Sequence, residues 1–150
     1  MTVSKRDTIL TGIKTTLAGI SVANGYNLTV KSIHDVLKAT SDLTQDQFPA
    51  LIVIDADESK DDGDVDEMKN RLNVIVTGYV FNPEQDYDLQ ADLRKLLADV
   101  EKCLCADRFR AALAYNTRPS SIKTDGGLLR PYAIFDFTFQ IEYLQLYGVP

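Results

Sequence analysis

The chain has 150 residues, with 16 Lys and Arg against 22 Asp and Glu, and a net charge of −6. Hydrophobic residues make up 45% and charged residues 25%, the composition of one soluble globular domain over residues 1–150. The longest apolar run, residues 50–54, is too short to cross a bilayer, the start MTVSKRD leads into no signal-peptide core, and the acid excess argues against a free-standing nucleic-acid binder.

Residues 4–22 read as an amphipathic helix. Ile9, Ile13, Leu17 and Ile20 recur at spacings of three and four, Ser4 suits the N-cap with Asp7 three residues on, and Asn24-Gly25 ends the segment. A short strand is expected at 27–30 or as far as 33, a helical turn at 33–40, and a polar loop at 41–47. Residues 50–54 (ALIVI) are apolar and rich in β-branched side chains, as in a strand covered on both faces. Residues 56–70 then read as an acidic loop.

Leu72, Val74, Val76 and Val80 alternate with polar partners and predict a strand over 71–81, with Gly78 marking a bulge or a close backbone approach. Leu89, Leu93, Leu96, Leu97, Val100 and Leu104 form the stripe of a second helix over 86–105, opened by Asp86 or Asp88. Residues 106–131 read as an irregular connection holding a short strand at 120–124. Phe135, Phe137, Phe139, Ile141 and Tyr143 at period two predict a long strand over 132–146.

The expected order is α-β-β-β-α-β. This predicts a two-layer α+β domain: a mixed or mostly antiparallel sheet of about four strands, with both helices on one face.

Charge is unevenly placed along this frame. Residues 55–67 carry eight acids against Lys60 alone, a balance of −7, so the rest of the chain carries +1. Residues 108–130 carry Arg108, Arg110, Arg118, Lys123 and Arg130 against Asp125 alone, a balance of +4. One reading is two independent solvated loops. The other brings the two together on different subunits, in a head-to-tail contact that closes a ring when its rotation closes. The candidate acidic lumen or interface residues are Asp57, Glu58, Asp61, Asp62, Asp64, Asp66 and Glu67; the candidate basic interface is Arg108, Arg110, Arg118, Lys123 and Arg130.

No catalytic pattern emerges. With Gly63 at position 6 of an EF-hand, positions 3 and 12 are Lys60 and Lys69, which are not ligands. Gly126-Gly127 lacks the phosphate-loop spacing. His34 is the single histidine and has no supporting motif. Cys103 and Cys105, two apart in a helix, staple nothing and fit a reducing compartment. The expectation is a structural or binding protein with no enzyme activity, no metal and no cofactor.

The layout as a whole resembles a known family. RDTILTGIKTTLAGISVANGYNL is followed by FPALIVIDAD, then RLNVIVTGYVF, then DLQADLRKLLADVEKCL, and finally PYAIFDFTFQIEYL. In this order and spacing the chain resembles the tail terminator (tail completion or minor tail) proteins of long-tailed bacteriophages. The resemblance implies a virion subunit, assembled in the host bacterial cytoplasm, that forms a hexameric ring on the head-proximal end of the tail tube. Its implied partners are further copies of itself, the tail tube protein and the head-tail connector, with DNA passing through the lumen without specific binding, and no membrane. It supplies no functional residue by position, and the 56–70 segment is more acidic than it requires. The alternatives are another neck or head-tail connector subunit or, more distantly, a small cation- or ligand-binding module.

Overall fold

The computed structural model describes residues 3–150. The first helix, α1 (Lys5–Leu17), starts where Ser4 Oγ accepts the Asp7 N–H at 3.1 Å and donates to the Asp7 carboxylate at 2.7 Å. It buries Ile9, Ile13 and Leu17. It is shorter than the periodicity predicts. Gly19 follows its last turn, and Ser21 caps a separate 3-10 turn over Val22–Asn24, which ends on left-handed Gly25.

Residues 27–30 form no strand. The backbone N–H groups of Asn27 and Leu28 donate to the carboxylate of Asp99 at 3.0 and 2.9 Å, so they are satisfied without a neighbouring strand. Strand β1 (Ser32–His34) comes later, overlapping the far end of the strand expected as far as 33 and the start of the predicted helical turn. Short 3-10 turns over Thr40–Asp42 and Gln45–Gln47 lead to β2.

The predicted acidic loop is largely strand. β2 (Ala50–Asp62) and β3 (Glu67–Phe81) form one long hairpin, and only residues 63–66 turn. The Gly63 N–H donates to the Glu67 carbonyl, the Glu67 N–H donates to the Asp64 carbonyl, and Asp66 has a φ of 64°. The outer half of the hairpin stands beyond the main core, so polar residues there do not oppose pairing. Helix α2 (Leu89–Cys105) starts at Asp88, whose side chain accepts the Ala91 N–H at 3.1 Å. The predicted irregular connection is likewise part strand: β4 spans Asn116–Thr124. β5 (Tyr132–Leu146) lies where alternation placed it.

The sheet therefore has five strands, not four, in the order β1-β2-β3-β5-β4. β1 is parallel to β2 and every other pair is antiparallel. Both helices pack on one face, as predicted. There Leu51, Val53, Leu72, Val74, Val76 and Val80 meet Ile9, Ile13, Leu17, Leu93, Leu96 and Val100, with Phe135, Phe137 and Phe139 beneath α2. Phe137 and Phe139 stack at 4.3 Å between ring centroids. Gly78 is the predicted close approach: the Phe135 ring lies where its Cβ would be. A smaller cluster of Leu43, Phe48, Ala50, Ile52 and Tyr79 covers part of the opposite face.

Candidate functional site

The acidic hairpin is anchored at its base. A bulge between Asp55 and Glu58 shifts the register of β2. Arg6, from the first turn of α1, donates to Asp55, to Glu58 at 3.1 Å and to the Ala56 carbonyl. The Glu58 side chain is only 7% exposed and also accepts the Tyr143 hydroxyl, so this predicted interface acid is held inside the subunit. Lys60 stays exposed but lies across the hairpin, donating to Asn70 and Gln145 at 3.2 and 3.0 Å.

Breaking this cluster has an expected cost. Arg6→Ala leaves a largely buried carboxylate with Lys60 as its nearest cation and should lower stability by about 2 kcal/mol, below the usual loss for a fully buried pair because Arg6 is itself about a third exposed. Urea titration of the variant measures it.

Tyr143 gives a pH dependence. Burial, and then its bond to Glu58, hold the phenolic proton on and raise its pKa well above the ordinary 10. In the unfolded chain the phenol ionises near its ordinary pKa of about 10. The folded state therefore keeps a proton that the unfolded state has lost. Stability is full below about pH 10 and falls as the pH rises beyond it. Tyr143→Phe should flatten that alkaline fall, as thermal melts over a pH series would reveal.

The outer end of the hairpin is open. Asp57, Asp61, Asp62, Asp64 and Asp66 are exposed, Glu67 is half-buried, and Val65 at the tip is 89% exposed. The tip is nevertheless tied down. The Tyr147 hydroxyl donates to Asp62, and the Tyr147 N–H donates to the Asp66 carbonyl at 2.9 Å.

The basic set divides in the same way. Arg110 is 5% exposed and donates to the carbonyls of Leu104 and Asp107, closing the C-terminal end of α2. It is a capping residue, not the interface residue predicted from its charge. Arg130 donates to the carbonyls of Gln85 and Tyr87 at 2.8 Å and pins the approach to α2. Arg108 is held on Asn116 at 2.9 Å. Arg118 donates to Gln140 and lies 3.1 Å from Glu142. Lys123 is exposed on β4. Within the chain the acidic and basic sets do not meet: the acids follow the β2 side of the sheet and Arg108, Arg118 and Lys123 the β4 side.

Two features carry no visible chemistry. His34 Nε2 lies 3.0 Å from Ser32 Oγ, whose proton goes to the Gln47 carbonyl, and burial lowers the His34 pKa. A cleft of about 500 Å³ between α1 and residues 107–113 is lined by Ile9, Gly12, Thr15, Arg110 and Leu113 among others. Among the described residues no group of three or more His, Cys, Asp and Glu is placed to hold a metal ion, and no helix is long and apolar enough to cross a membrane.

Sequence reasoning missed Arg6 and Asp99. Arg6 carries no signal, being one base on a polar helix face. Asp99 does carry one: it lies three residues after Leu96 and beside Val100, on the apolar stripe of α2.

The fold thus defines a class, a two-layer α+β domain with opposite charge at the two edges of one sheet. No known family and no curated protein matches the chain by sequence. In structure it is similar to a chain from the virion of a native gene transfer agent particle, with a TM-score of 0.61 and 13% identity. The match covers 96% of this chain and 100% of that one, and it shows a shared fold over nearly the full length.

Proposed function

We propose that this chain is a structural subunit of a phage-like virion, and specifically a tail terminator: a ring on the head-proximal end of the tail tube that stops tube growth and receives the head connector. The observation that carries the reading is the end-to-end likeness of fold to a chain of a gene transfer agent virion. The division of charge supports a ring, because unlike surfaces on one subunit join head to tail. The subunits would form a hexamer, as the resemblance to tail terminators implies. The exposed tip carboxylates Asp62, Asp64 and Asp66 face the path of DNA, where like charge keeps phosphates from adhering.

Electron microscopy of particles assembled without the protein tests this role. Overlong tails are the expected result. Tails of normal length lacking heads would overturn it in favour of another neck or connector subunit. Calcium or magnesium binding in calorimetry would favour the cation-binding alternative.

A further inference from the structure

The sheet has two free edges of opposite charge. Among the described residues β1 pairs with β2 only from Ala50 to Ile52, so residues 53–62 of β2 have no strand on their outer side. β4 is the free strand at the other end. Asp55, Asp57, Asp61 and Asp62 are exposed along the first edge, where Arg6 pairs with Asp55 and Lys60 is the one exposed base of the strand, so the acids outnumber the bases. Arg118 and Lys123 are exposed on the second, β4 contains no acid, and Arg108 is bonded to its first residue.

Free edges are normally protected against pairing. Here the charges protect selectively. Two β2 edges together would set carboxylates against carboxylates, and two β4 edges would set cations against cations. A β2 edge beside a β4 edge meets neither penalty. The two strands run in opposite directions in one subunit, because β2, β3, β5 and β4 pair antiparallel in turn. A rotation about an axis along the strands therefore brings β2 of one copy beside β4 of the next in antiparallel sense. Pro119 and a bulge on each strand interrupt any backbone ladder, so side-chain charge decides the contact.

The register assigns the partners. Arg118 pairs with Gln140, Gln140 with Asn73, and Asn73 lies opposite the β2 bulge that contains Asp57. Asn116, which holds Arg108, is level through Glu142 and Arg71 with Ser59, two residues from Asp61. Lys123 is level through Asp136 and Thr77 with Ile52, where β1 already occupies the edge.

We propose that copies of this chain join edge to edge, with Arg118 and Arg108 on β4 of one copy set against Asp57 and Asp61 on β2 of the next. The contact is heterologous, and repeating it closes a ring when its rotation closes. The inference rests on the ring reading above but not on what the ring caps.

The test uses the purified full chain without tails. Ile54 and Ser121 share a face and a level through Ile75 and Thr138, at opposite edges. The variant Ile54→Cys/Ser121→Cys, in a Cys105→Ser background, should give a ladder of disulfide-linked multimers joined 54 to 121. Adding Arg108→Glu/Arg118→Glu, or Asp57→Lys/Asp61→Lys, should abolish the ladder. Mixing the two reversed chains should restore linked species, which misfolded chains could not form. Lys123→Glu should leave the ladder unchanged. No ladder at the highest soluble concentration, links joining 54 to 54, or ladders indifferent to charge reversal would overturn the proposal. Overlong tails without a ladder would leave the terminator role standing while removing this contact. A ladder with normal tails would do the opposite.

Discussion

Asp99→Ala should lower stability by about 3 kcal/mol, the cost of removing a buried carboxylate that accepts three N–H donors. Asp99 is 1% exposed on α2. Its carboxylate accepts the Asn27 N–H and the Asn27 side-chain amide at 3.0 Å, and the Leu28 N–H at 2.9 Å. Alanine leaves the Leu28 N–H without its acceptor, whereas the donors of exposed Asn27 can turn to water. It also releases residues 26–30, where Tyr26, Leu28 and Val30 pack on the core. Asp99→Asn keeps the shape and one acceptor oxygen, and should cost about half as much. For a domain whose total stability is about 5–15 kcal/mol, that is a large share of the whole. Urea midpoints of the two variants decide it. Equal, small losses would mean that the carboxylate bonds contribute little.

Gly78→Ala should be nearly as damaging, although it adds one methyl group. A Cβ at this position would overlap Cε1 and Cζ of Phe135. Phe135 is fully buried, so its ring can retreat only by displacing core neighbours. Overpacking of this kind costs about 3 kcal/mol when nothing yields. The ring is the cause, so Gly78→Ala combined with Phe135→Leu should lose less than the sum of the two single losses. Strict additivity in a double-mutant cycle would refute this account.

Sequence patterning located β5 and α2 well because each buries one face along its whole length. It lost β2 after Ile54. There the strand leaves the main core, and alternation of apolar and polar residues ends with it. An acidic run reads the same in a loop as in a solvated hairpin arm. β4 was shortened for a related reason: NTRPSSIKT has a proline, a bulge and little apolar character, as an edge strand can. Charge was legible by sign but not by destination. Arg110 and Glu58 look like surface residues in the sequence, yet one closes a helix end and the other pairs with Arg6. Conversely, Gly78 was marked as a bulge or a close approach, and the structure selects the second, with the Phe135 ring against its backbone.

The place of β5 in the sheet has a consequence for biosynthesis. It is the last strand in chain order but lies between β3 and β4. Until it emerges from the ribosome, β4 has no sheet to join, and Phe135, Phe137 and Phe139 are missing from beneath α2. Domains fold as units during synthesis, and contacts distant in sequence form late. A nascent or truncated chain lacking β5 therefore cannot present the basic edge at all. Only a chain that includes β5 carries both free edges of the sheet, so under the edge-to-edge proposal a chain without it has no basic side to offer.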